Sequence, residues 1–269
     1  MKFKILFGIF NTIILFSFAA ILLLPVFLVG SDYAMLFWGS NWGLILVFVA
    51  ALAGVNWYFL RNWKLFSCLE REDWNGLKQY LTQTIFDSSR PGKHRVQLLM
   101  HAAVLTADMA TIERLEAHLA ERTPSLVARF AADFSLPHLL SADASRILAF
   151  VDNYLPRTSG DTAAWLRFSR GFAHTLNNAP EEAKTVLLAC AQDTQNDVVA
   201  TLASYLTRQL PLSLGDAERD LVSATEERVR TRYSREQWQR MVADESRRLH
   251  ILAFRGLLND AESSLFDHA

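Results

Sequence analysis

Two uncharged runs at the start of the chain constrain it most. No charged residue occurs from Ile5 to Gly30, and none from Tyr33 to Leu60. Each run exceeds the roughly 20 residues an α-helix needs to cross a hydrocarbon core about 30 Å thick. Only Val29-Gly30-Ser31-Asp32 separates them, which predicts a hairpin of two membrane helices, the second starting between Tyr33 and Trp42. Tyr33, Trp38 and Trp42 cluster near one end of the second run, and Trp57, Tyr58 and Trp63 at the other. Trp and Tyr favour membrane–water interfaces because their rings are apolar while their N–H or O–H needs water. Asn56 falls at the interface on this reading.

The flanking charges orient the hairpin. Lys2 and Lys4 precede it, Arg61 and Lys64 follow it, and the intervening loop has no basic residue. The positive-inside rule then places both termini, and all that follows, in the cytoplasm, on the inner membrane if the source is bacterial. A cleaved leader fits poorly, because Ala19-Ala20 runs straight into Ile21-Leu22-Leu23-Leu24.

Beyond residue 64 the composition changes. Residues 65–269 hold 23 basic and 27 acidic residues, an ordinary charge density for a water-facing domain. The two cysteines, Cys68 and Cys190, form no CxxC pair, and neither disulfide nor zinc spacing is present. Three segments are therefore expected: 1–64 as a transmembrane hairpin, 65–215 as a helical body and 216–269 as C-terminal capping helices.

Within the body an apolar pattern recurs. Val96-x-x-Leu99-Met100-x-x-Ala103, Ala131-x-x-Phe134-Ser135-x-x-His138, Trp165-x-x-Phe168-Ser169-x-x-Phe172 and Val199-x-x-Leu202-Ala203-x-x-Leu206 begin 35, 34 and 34 residues apart. Steps of three and four residues put each set on one helical stripe. A second helix follows each of the first three, opened by Asp108, Asp143 and Asn178-Ala179-Pro180, while Asp73 opens one upstream. Asp can cap a helix N-terminus, and Pro is tolerated in its first turn.

This resembles the tetratricopeptide (TPR) family of 34-residue helix–turn–helix repeats. Trp165, Phe168, Ser169 and Phe172 match the family's first helix with Ser in place of Gly, and Ala183-x-x-x-Leu187 matches the second. The resemblance covers about residues 66–212 and implies an all-α fold in which the hairpin precedes an α-solenoid of antiparallel helix pairs. It further implies a concave face, lined by first helices, that takes a protein partner. On this sequence those positions include His94, Gln97, His101, Arg129, Arg170, Asp197 and Ser204. A hairpin followed by such repeats is also similar to HemY-type inner-membrane proteins associated with porphyrin metabolism or envelope assembly, loosely supported by Gly30-Ser31-Asp32-Tyr33 and Trp38-Gly39.

From Gly215 onward the pattern loosens. Asp216 is expected to cap a helix reaching Arg232, and Ser234 another extending to about Leu258. Terminal repeats are usually atypical because their outer face meets water.

No catalytic, cofactor or metal site is expected. His94, His101, His118, His138, His174, His250 and His268 form no H-E-x-x-H motif, and no glycine-rich phosphate loop or G-x-S-x-G occurs. Arg228, Arg230, Arg232 and Arg235 form a basic run, but Glu226, Glu227 and Glu236 flank it, so a solvated helix face is expected and no nucleic acid. The partners expected are the bilayer, through 5–30 and 33–60, and a protein.

Overall fold

The computed structural model describes residues 2–267, leaving His268 outside, along with the side chains of Lys2, Lys4 and Tyr33. Among the described residues the chain is helical without strands, and it divides into two compact units, Met1–Asp87 and Ser88–Ala269.

The first unit holds α1 (Lys2–Val29), α2 (Ser31–Arg61), α3 (Trp63–Glu70) and α4 (Trp74–Phe86). α1 and α2 pack together through Phe18 on Phe48, ring centroids 4.0 Å apart, and through Phe7 on Phe59 at 5.4 Å. Their turn is one residue, Gly30 at φ 97°, ψ 169°, a backbone region open essentially to glycine alone. α2 therefore starts at Ser31, earlier than the aromatic pattern indicates, and the chain instead bends at Asn41 (φ −116°, ψ 20°). Asn11 and Asn56 donate to the carbonyls of Phe7 and Leu52 in their own helices, 2.9 Å each, so neither is a polar link across the hairpin. Phe7–Leu24 and Met35–Arg61 are long and apolar enough to cross a membrane, and neither window contains a buried residue.

The second unit holds α5 (Lys93–Leu105), α6 (Met109–Arg122), α7 (Pro124–Arg129), α8 (Ala131–Phe134), α9 (Leu136–Leu140), α10 (Ala144–Tyr154), α11 (Gly160–Leu176), α12 (Pro180–Asp193), α13 (Asp197–Arg208), α14 (Asp216–Arg232), α15 (Arg235–Glu245) and α16 (Arg255–Phe266). Successive helices from α9 to α14 pack on one another, and α5 packs on α6.

One turn recurs down the chain. Glu72, Ala107, Ala142 and Asn178 all have φ between 51° and 54°, and each precedes the residue that starts the next helix. In three of them the following N–H reaches back five residues: Asp73 to Cys68 at 3.0 Å, Asp108 to Ala103 at 2.8 Å and Ala179 to His174 at 3.0 Å. This is a Schellman closure, in which a left-handed residue lets the last orphan carbonyls of one helix be satisfied. The same Asp then caps the next helix. Asp73 accepts from the Gly76 N–H at 2.8 Å, Asp108 from Thr111 at 3.1 Å, and Asp143 from Ser145 and Arg146 at 3.0 and 3.2 Å. Each turn thus ends one helix and starts the next within two residues, as the Asp spacing anticipates.

Three local expectations need correction. The stripe from Ala131 to His138 is two short helices, because Pro137 has no N–H to continue a single one. Gly215, not Asp216, is the N-cap of α14, its backbone N–H bonded to Glu218 at 2.8 Å. Ser234 does cap α15, but that helix ends at Glu245. The chain then forms a 3₁₀ segment, Leu249–Phe254, before α16. Leu249, His250, Ile251 and Phe254 are all buried, a density of inward residues that a surface α-helix cannot supply. This C-terminal arm packs back on α8, α9, α13 and α14. Its anchor is aromatic: Phe254 lies parallel to Trp165 at 5.9 Å and edge-on to Phe168 and Phe172 at 5.1 and 5.4 Å.

Candidate partner-binding face

Helix α5 carries three of the sequence-derived positions. His94 and Gln97 are exposed and His101 half-buried, and steps of three and four residues set them on one face. Arg129 is exposed at the end of α7. The other three are engaged or interior. Arg170 is ion-paired with Asp152. Ser204 has no exposed surface, and Asp197 is 6% exposed. Asp197 accepts from Arg232 Nη1 and Tyr233 Oη at 2.9 Å each, with Arg228 Nη2 at 3.9 Å. Burial, reinforced by the hydrogen bond to Asp197, pushes the Tyr233 phenol above its ordinary pKa. Asp197 and Ser204 lie inside because α14 and α16 pack on α13, covering positions that a bare array of first helices would leave open.

The basic run is turned inward for the same reason. Arg228 and Arg232 hold Asp197, Arg230 Nε donates to the Leu265 carbonyl at 2.8 Å, and Arg235 pairs with Glu262 and Asp267 at 3.3 and 2.6 Å. It joins α14 and α15 to α13 and to the arm rather than forming a free cationic face. A surface cleft of about 460 Å³ beside α14 is lined by Arg208 and Arg219, and both are paired, with Glu226 and Asp216.

A second carboxylate, largely covered, lies under the arm. Asp133 Oδ1 accepts from the Leu249 N–H at 2.9 Å and meets His250 Nδ1 at 3.0 Å. Burial pushes the Asp133 carboxyl up, but the His250 ring and the backbone N–H groups of Leu249 and His250 pull harder, leaving its pKa below the usual value. With the carboxylate ionised, Nδ1–H is the donor. The other face of the imidazole meets Trp165, centroids 4.7 Å apart. Nearby in sequence, Tyr154 Oη donates to Glu116 at 2.7 Å, and the His138 ring packs on Phe150 at 4.9 Å. These groups connect helices to one another. Neither offers a nucleophile with an adjacent base and open space for a reacting atom. Cys190 is buried, which pushes its thiol up to about 12 and away from reactivity. Among the described residues no group of three His, Cys, Asp or Glu is placed to hold a metal.

Sequence reasoning overlooked Asp133 and His250. They are 117 residues apart and neither belongs to a motif. The one local signal was Pro137, which breaks the helix that presents Asp133.

Comparison with known proteins gives two matches. A family model described as "Uncharacterised Treponema protein" matches residues 111–267, from the start of α6 to the end of the arm. An uncharacterized protein of Treponema pallidum (strain Nichols) is 27% identical over 232 residues, which cover 82% of this chain and 74% of that protein. No solved structure matches the chain.

Proposed function

We propose that this chain, which belongs to the family described as Uncharacterised Treponema protein, is a membrane-anchored scaffold that binds a protein partner and carries out no chemistry of its own. On this reading residues 5–30 and 33–60 span the bacterial inner membrane. Both termini and the body lie in the cytoplasm, since Lys2, Lys4, Arg61 and Lys64 all flank the open end of the hairpin. The helix pairs stack in the TPR manner, each presenting its first helix to the partner side.

The recurring left-handed turn carries the reading. Glu72, Ala107, Ala142 and Asn178 adopt it at steps of 35, 35 and 36 residues, and repeated helix pairs of this kind serve mainly as binding surfaces. The C-terminal arm covers parts of α8, α9, α11, α13 and α14, so the partner surface narrows to the α5 face of His94, Gln97 and His101, with Arg129 exposed on α7. Polar groups that are exposed or half-buried, with no internal bond among the described residues, suit recognition of an extended or helical peptide.

A photo-crosslinker at Gln97 in the full-length membrane protein tests this. The expected result is a discrete protein adduct that His94→Ala/His101→Ala removes. An adduct pattern unchanged by that variant, with helicity retained, would overturn the α5 assignment. For the orientation, protease added to intact spheroplasts should leave the body uncut, and cleavage there without lysis would reverse the topology.

A further inference from the structure

We propose that the edge of the second unit formed by its helix–turn–helix bends binds a basic amphipathic α-helix of a protein partner. This surface lies apart from the α5 face and does not depend on it.

Three of the left-handed turns belong to the second unit, and each has a leucine two residues before its left-handed residue. Leu105 precedes Ala107, Leu140 precedes Ala142 and Leu176 precedes Asn178. These leucines are 59%, 51% and 36% exposed. Among the described residues of that unit one other large apolar side chain is comparably open, Leu252. Single exposed leucines are ordinary on a protein surface. A row recurring at one turn position, at steps of 35 and 36 residues, is different, because the turns are closed by backbone bonds and need no leucine there.

The turns share one edge. Arg146 near the start of α10 pairs with Glu113 near the start of α6 at 2.5 Å, and Lys184 near the start of α12 pairs with Glu218 near the start of α14 at 3.3 Å. Between them α10 runs away from the edge and α11, packed along it, returns. The row therefore continues to Leu212 and Leu214, half-buried in the wall of the cleft beside α14. α11 touches α13 and α12 touches α14, so the edge advances there by one helix spacing, about 9 Å, per turn. An α-helix rises that far in about six or seven residues, so a helix lying along the row sets one apolar residue in every second turn against a leucine.

The charge of the edge selects the partner. Residues 102–112, 136–145, 171–183 and 209–218 contain no Lys or Arg, but hold Asp108, Asp143, Glu181, Glu182, Asp216 and Glu218. The basic residues bordering these stretches, Arg146, Arg170, Lys184, Arg208 and Arg219, are all ion-paired. Asp143 and Glu182 are exposed and take no ion pair among the described residues. A leucine-lined, net acidic edge repels an anionic bilayer and complements a partner that presents apolar and basic residues together. The backbone favours a helix over an extended strand. The N–H groups of Asp108 and Ala179 are already bonded to the Ala103 and His174 carbonyls, leaving no free row for a strand to pair with. A helix satisfies its own backbone and asks only for side-chain contact.

The experiment uses the full chain in phosphatidylcholine nanodiscs, with empty discs as the blank. The probe is a fluorescent synthetic helix about three heptads long, with leucine along one stripe and lysine beside it. A second probe carries glutamate in place of lysine. Anisotropy should show the lysine helix binding about tenfold tighter than the glutamate helix, with the preference lost at high salt. Leu105→Ser/Leu140→Ser/Leu176→Ser should weaken it about tenfold at unchanged helicity, and Glu182→Lys several-fold. A photo-crosslinker at Leu140 should capture the lysine helix, whereas one at exposed Glu121, at the far end of α6, should not. Equal affinity for both probes, equal capture at both positions or affinity unchanged by the serine variant would overturn the proposal. So would discs that self-associate through the row and separate in the serine variant, since a second copy would then be its occupant. A parental Gln97 adduct in the same serine variant keeps the α5 reading separate from this one.

Discussion

Removing the Asp133 carboxylate should release the C-terminal arm before it unfolds the helix pairs beneath. Asp133→Ala leaves the Leu249 N–H and His250 Nδ1 facing an apolar gap, at about 1–3 kcal/mol for each unpaired buried group. Water entering the space relieves part of that, so a total of about 3–5 kcal/mol is expected, the range for breaking a buried pair from one side. Glu113→Ala is the control, because its ion pair with Arg146 is more than a third exposed on both sides and should be worth under about 1 kcal/mol. The folded-state pKa of Asp133 is depressed, so its contribution is present above the unfolded value of about 3.9 and is lost as pH falls below it. The parent should therefore lose stability below about pH 4, and the variant should be flatter across that window. Denaturant unfolding of the detergent-solubilised full chain, followed by circular dichroism, gives the total. Amide hydrogen exchange gives the location, with protection lost first over 249–266 while α11 and α12 keep theirs. An unchanged unfolding midpoint together with unchanged protection in the arm would refute the reasoning.

Other expectations concern packing and turns. Trp165→Ala should cost about 3–5 kcal/mol, since the side chain is fully buried against Phe168, His250 and Phe254; a parental melting temperature would count against that packing. Ala107→Gly and Ala142→Gly should each stabilise by about 0.5–1 kcal/mol, because alanine is strained at φ 52° and 51° and glycine is not; a loss of stability in both would mean that the left-handed turn is not held. Gly171→Ala should destabilise by about 1–3 kcal/mol, as its added Cβ would sit 2.6 Å from Leu187 Cδ2, and a neutral result would show that α11 and α12 can move apart freely.

What could be read in the sequence was local. Asp73, Asp108 and Asp143 announce helix starts because an N-cap bond spans only two or three residues, and all three make it. The left-handed residue just before each was invisible, since Glu72, Ala107 and Ala142 are not residues that favour positive φ; only Asn178 is. The C-terminal half went astray where partners lie far apart. Leu249, Leu252 and Ala253 fit a helical stripe, yet Leu252 is exposed, and the segment is 3₁₀ because it follows the surface of α8 and α9. Arg232 reads as a surface charge until Asp197, 35 residues earlier, is set beside it. Of the positions named from spacing, His94, Gln97 and His101 share one face of α5. Spacing could not recover which first helices the chain's own end would cover.

That long return has a consequence for synthesis. Stacked helix pairs normally mature as they emerge, each settling on the one before, because nearly all their contacts are short-range. Here Asp133 must wait for a residue made 117 positions later, and Trp165 must wait for Phe254. Until the chain has been made as far as Phe254, α8 and α11 stand with aromatic surface uncovered, a state prone to wrong association. A truncation that removes residues 249–267 should therefore yield an aggregating product rather than a slightly shortened working one.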